Sequence, residues 1–121
     1  MQVMQKIHHA LFDLDGTLVD SSDAIHAAVA YALQRLGHTC PTDFAIAKWI
    51  GMPLIDIFRD AFGVIDDPAE QAIAHYREYY DKQAQAGTRV YDRVAETLER
   101  LCASGIGLFV ATVKPSPIAE K

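Results

Sequence analysis

The chain has 121 residues, of which half are apolar and 22% charged, and its formal charge is −5. That is the size of one ordinary soluble domain with enough apolar residues for a core. The acidic balance lacks the basic stripe of a nucleic-acid-binding surface, and no run approaches the roughly 20 apolar residues that span a bilayer.

Residues 1–9 mix polar side chains with one lysine and lack the apolar stretch of a signal peptide, so a cytoplasmic location is expected. Cys40 and Cys102 stand far apart without a partner motif, which suits buried thiols better than a disulfide or a metal site. The five histidines carry no metal-ligand spacing.

Ile7 to Asp13 is a short apolar run that ends at a turn, the pattern of a buried strand. It leads into Asp13-Leu14-Asp15-Gly16-Thr17-Leu18-Val19-Asp20-Ser21. Residues i and i+2 of an extended chain point to the same side, roughly 6–7 Å apart. A strand ending at Asp13 therefore presents a carboxylate at its carboxyl end, the edge where open α/β sheets bind ligands. Two acids there repel each other unless a cation or a chemical task keeps them. A lone Asp15-Gly16 would be an ordinary turn; the whole run is more than that.

Ser21 and Ser22 are placed to cap a helix with Asp23 in its first turn, Ile25, Val29, Ala32, Leu33 and Leu36 at helical spacing, and Gly37 at its end. Thr42 and Asp43 are placed to cap a second helix through Ile50, stopped by Gly51. Pro53 suits the first turn of a third (Leu54, Ile57, Phe58, Phe62), with Gly63 after it. Asp66-Asp67-Pro68 announces a long fourth, through Tyr76, Tyr79 and Tyr80 to about Ala86, closed by Gly87. Asp92 to Ser104 is amphipathic (Val94, Leu98, Leu101, Cys102), Gly107 to Thr112 is a second buried strand, and Pro115-Ser116-Pro117 reads as another helix start. The expected fold is α/β: a partial Rossmann-like parallel sheet with two recognisable strands, from residues 1–19 and 88–121, and a four-helix cap inserted at 20–87.

The run from Asp13 to Ser21 resembles the DxDGT signature of the haloacid dehalogenase (HAD) superfamily, and the helical insert after the first strand resembles its phosphoglycolate-phosphatase-like branch. That resemblance implies a Mg²⁺-dependent phosphomonoester hydrolase acting on a small phosphorylated metabolite through an aspartyl-phosphate. It makes Asp13 the nucleophile, Asp15 the general acid/base, and both of them metal ligands. A carboxylate suits the first role because it is ionised at neutral pH and needs no activating base. Gly16 allows the close turn whose amides can donate to phosphate oxygens.

Thr112, ending the second strand, matches the family's second motif, a hydroxyl that binds the phosphoryl group. Lys114 follows as either a phosphate contact or a charged loop residue. Gly51-Met52-Pro53 resembles the cap's substrate loop, and the same residues equally suit a helix stop and start. Lys48 and Arg59 read as solvated helix ends and Tyr76, Tyr79 and Tyr80 as packing.

Three departures stand out. Arg93 occupies a position where the family usually has glycine, which places a side chain on a left-handed backbone at a cost of order 1 kcal/mol. Val113 replaces a polar residue. The family's later lysine and Gly-Asp segment do not follow Thr112. An impaired enzyme is therefore expected, with a phosphomutase as a variant of that reading. The alternative is a catalytically inactive fragment that binds phosphate or metal weakly, or that self-associates through an open strand edge.

Overall fold

The computed structural model describes residues 4–112. In chain order the elements are β1 (His9–Phe12), β2 (Val19–Asp20), α1 (Ser22–Arg35), α2 (Leu54–Phe62), α3 (Asp66–Gln83), β3 (Arg89–Val90), α4 (Val94–Ala103) and β4 (Gly107–Val110). The fold is α/β, as its sequence indicates.

β1 and β4 pair in parallel, with His9 opposite Gly107 and Phe12 opposite Val110. The Ala111 amide donates to the Phe12 carbonyl at 2.8 Å and carries the ladder past the last strand residues, so both strands end at one edge. Gly107 leaves room for the His9 ring across the pair: a Cβ there would lie 2.7 Å from His9 Nδ1 and the ring would have to shift. The strands are less buried than their apolar sequences suggest: Leu11 is 70% exposed, and Phe109 and Val110 are each more than half exposed. Parallel sheets are ordinarily covered on both faces. Among the described residues β1 and β4 have only each other as sheet neighbours, and α4 packs on β4.

The core lies instead among α1, α2 and α3. Ala28 and Ala32 of α1 and Ala69 and Ala72 of α3 are fully buried, and these small side chains let the two helices approach closely. Leu33, Val29 and Phe58 fill the space beside them, at the density that makes such interiors sensitive to a single methylene. Tyr31 and Tyr79 meet across the helix pair at 5.0 Å between ring centres. α2 closes at Gly63 as expected.

Two expectations about the helices require correction. The predicted second helix is a single 3₁₀ turn, Ile46–Lys48, so the segment between β2 and β3 holds three α-helices and two 3₁₀ turns, the other being Ala84–Gly87 after α3. Phe44, Ile46, Trp49 and Ile50 all turn toward the core. At 100° per residue an α-helix would hold Ile46, Trp49 and Ile50 on one face and put Phe44 on the opposite side, whereas an irregular path with one tight turn delivers all four together. Ser21 also does not cap α1; its side chain makes no cap hydrogen bond. Asp20 does this work, its Oδ1 accepting the Ser22 amide at 3.1 Å and the Ser22 hydroxyl at 2.5 Å.

β2 and β3 pair antiparallel, Val19 opposite Val90 and Asp20 opposite Arg89. This ribbon, two residues on each side, ties together the chain entering α1 and the chain leaving α3. The thiols are free, but neither is buried: Cys40 is half-buried and Cys102 exposed.

Arg93 precedes α4 at φ 66°, ψ 3°, in the left-handed region its sequence position suggested. Arg93→Gly should therefore stabilise the chain by about 0.5–1 kcal/mol, the left-handed penalty less glycine's extra unfolded-state freedom. Urea unfolding measures the difference; an unchanged or lowered midpoint would show that the residue is not strained.

Candidate active site

After Phe12 the chain folds into one tight coil. The Leu14 carbonyl accepts from the amides of Thr17, Leu18 and Val19 at 3.0–3.3 Å, and the Gly16 amide donates to the Val19 carbonyl at 2.9 Å. Gly16 sits at φ +79°, a conformation that side chains rarely adopt. This coil sets the two acids in different surroundings. Asp13 is exposed, with Oδ1 accepting the Leu14 amide at 2.9 Å. Asp15 is half-buried, and its Oδ1 accepts the Ser21 hydroxyl at 2.5 Å. Ser21 is fully buried at the start of α1, so its hydroxyl is denied to water and must find a protein partner.

Asp15 opens onto a cavity of about 360 Å³. Gly51, Met52 and Pro53 line it, together with Trp49, Ile50, Leu54 and Ile57 from the same stretch of chain and Ile73, Tyr76, Arg77 and Tyr80 from α3. The loop that sequence reasoning left open between a helix junction and a substrate loop thus faces Asp15. Tyr76 and Tyr80, read as packing, are buried and stacked at 5.4 Å, and they form part of the cavity wall as well. Burial holds the Tyr76 phenol protonated well above its ordinary range, reinforced by Tyr80 and by the negative charge of Asp15.

The remaining expected residues fall into place less evenly. Thr112 is half-buried just beyond β4; the sheet register sets Ala111 opposite Asp13, with Thr112 one residue further on. Lys114 lies outside the described residues. Lys48 and Arg59 do not line the cavity. Arg59 is held by Asp56 at 2.7 Å and Asp60 at 2.6 Å on the exposed face of α2, which agrees with its reading as a solvated helix end. Ser21 and Arg77 were missed. Ser21 carried the stronger signal of a helix cap, and its contact with Asp15 depends on the coil between them. Arg77 is an exposed helix residue by pattern alone.

As a metal site the pair fits in kind, since the Asp13 carboxylate and the Asp15 backbone carbonyl offer hard oxygens of the sort Mg²⁺ prefers. Among the described residues no group of three or more acids, histidines or cysteines is gathered to hold an ion, so the two aspartates form the start of a coordination shell.

The family model for haloacid dehalogenase-like hydrolases matches residues 10–121. The chain belongs to this family. It is 40% identical to a Pseudomonas aeruginosa protein named 5'-nucleotidase, over 92% of this chain and 50% of that protein. A Salmonella typhimurium phosphoglycolate phosphatase is 33% identical, with 97% of this chain and 55% of that protein covered. Among solved structures, a haloacid dehalogenase-like family hydrolase from Streptococcus pneumoniae superposes with a TM-score of 0.83 at 34% identity, over 94% of this chain and 53% of that one. The chain thus spans about half the length of these HAD relatives.

Beside the site, Asp20 is held below the usual carboxylate range by the Ser22 hydroxyl, then the Ser22 amide, with a smaller contribution from Arg89. A depressed folded-state pKa stabilises the fold above the unfolded value near 4 and loses that contribution as pH falls through the folded value. Ser22→Ala should raise the Asp20 pKa and flatten the acid limb of the stability profile below about pH 4. Carboxyl NMR titration of Asp20 checks this, and identical titrations in both proteins would contradict it.

Proposed function

We propose that the site is that of a HAD-type phosphomonoester hydrolase working through an aspartyl-phosphate on Asp13, with a small phosphorylated metabolite as substrate and the cytoplasm as its setting. The observation that carries this reading is the division between two acids two residues apart. Asp13 stands exposed at the end of β1, while Asp15 is tethered by Ser21 and faces a cavity. Relatives bearing the names phosphoglycolate phosphatase and 5'-nucleotidase support a phosphomonoester as substrate.

In the first half-reaction an Asp13 oxygen attacks phosphorus and the ester P–O bond breaks. Asp15 gives its proton to the departing oxygen, so the leaving group goes as an alcohol. In the second, water attacks phosphorus, Asp15 takes a proton from it, and the P–O bond to Asp13 breaks to release phosphate and restore both carboxyl groups. Ser21 donates to one oxygen of Asp15 and so restricts how that carboxyl group turns. The Thr112 hydroxyl would hold a phosphoryl oxygen, and Gly16 would serve the phosphate end by turning the coil, since the Gly16 to Val19 amides are already engaged within it. Mg²⁺ held between Asp13 and Asp15, with the Asp15 carbonyl oxygen, would offset repulsion between carboxylate and phosphate.

The family's lysine and late aspartates are not among these residues. The absence of one such electrostatic group costs roughly 10²–10³ in rate, so residues 1–121 alone should turn over slowly. The edges of β1 and β4 that have no partner strand among the described residues are where we place any self-association.

Release of p-nitrophenol from its phosphate ester with Mg²⁺ present, comparing the chain with Asp13→Asn, tests the assignment. A slow release that the substitution abolishes is expected. Equal rates in the two proteins would overturn it.

A further inference from the structure

The cavity beside Asp15 is built for something larger and less polar than a two-carbon acid. At about 360 Å³ it is more than twice the roughly 150 Å³ that accommodates a benzene ring. Trp49, Ile50, Met52 and Ile73 give it apolar walls. A small, fully hydrated leaving group would leave those walls wet, whereas a broad apolar face would cover them. Among the described residues Arg77 is the only cation in the lining, and it makes no ion pair with any of them. The buried Tyr76 phenol adds a protonated donor on the same helix.

Resting on the phosphatase reading above, we propose that this cavity selects phosphomonoesters whose leaving group carries a broad apolar or planar face together with an anionic group that meets Arg77. The phosphoryl group stays at Asp13 and Asp15, the planar body lies between the Trp49-to-Met52 stretch and α3, and the anion pairs with the guanidinium. Polyol phosphates and phosphates of two-carbon acids fill only part of this space and are the weaker ligands.

Phosphonates, which are not hydrolysed, separate binding from turnover. Trp49 is the chain's single tryptophan, so its indole N–H is one NMR signal inside the cavity, while the Gly16 amide reports the phosphate end. With Mg²⁺ present, the chain is titrated with methylphosphonate, 3-phosphonopropionate, benzylphosphonate and 4-(phosphonomethyl)benzoate.

Benzylphosphonate should bind at least about tenfold more tightly than either small phosphonate, as burial of a ring face requires, and should move both Gly16 and Trp49. The benzoate should gain several-fold more. Arg77→Met should remove only that last gain, while Met52→Asp should weaken the two ring-bearing ligands and spare methylphosphonate; both positions are exposed, so neither change threatens the core. If the phosphonates move Gly16 but the ring brings no tighter binding and Trp49 stays still, the phosphatase reading survives and the substrate class falls. Ring binding that moves Trp49 without Gly16 would likewise overturn the proposal, since the cavity would then not hold a leaving group. If no phosphonate moves Gly16 or Trp49, both readings fail together.

Discussion

The hydroxyl of Ser21, wholly buried at the start of α1, donates to Asp15 Oδ1 at 2.5 Å, and this contact joins the coil after β1 to the helical part of the chain. A buried hydroxyl without a partner is costly, and a carboxylate is among the strongest acceptors available to it. The bond therefore fixes the coil relative to α1, and through α1 relative to the α3 wall of the cavity. The two-residue ribbon of β2 and β3 closes the same junction from the other side, with Asp20 capping α1 and lying opposite Arg89. Whatever enters the cavity meets an acid whose direction is already set.

The difference between Asp13 and Asp15 follows from that tether. Both sit in one short motif and carry the same functional group, yet one is exposed beside a single backbone amide and the other is half-buried against a serine and a stack of tyrosines. Two like groups whose surroundings diverge are suited to different tasks, one to attack and one to move a proton. The coil makes the divergence possible: three amides converge on the Leu14 carbonyl, and Gly16 takes the backbone angle that turns the chain between them.

Much of this was readable from the residues. The glycines after α1 and α2, the apolar spacing of α1 and α3, the strand ends at Asp13 and Thr112, and the left-handed position of Arg93 all depend on local geometry and emerged close to where the sequence put them. Where the second helix was expected, Phe44 packs inward beside Ile46, Trp49 and Ile50, and a helix holding the last three on one face would have turned Phe44 away. β2 and β3 are too short for an alternating pattern to declare itself. Ser21 was misread because its position suits a helix cap and its partner lies across a coil. Arg77 was missed because the cavity that it and its α3 neighbours line is closed by residues 49–54, from a different stretch of the chain. What escaped the sequence was tertiary in each case.

The two-stranded sheet leaves apolar residues exposed, and the chain spans about half the length of these HAD relatives. The claim on which the rest turns is that Asp13, and not its better-held neighbour, takes the phosphoryl group. Mixing the chain with phosphoramidate and Mg²⁺, quenching in acid and mapping the modified peptide by mass spectrometry tests it directly. The account predicts one phosphoryl group, on Asp13, and none in Asp13→Asn. A phosphoryl group on Asp15, or its persistence in Asp13→Asn, would contradict it.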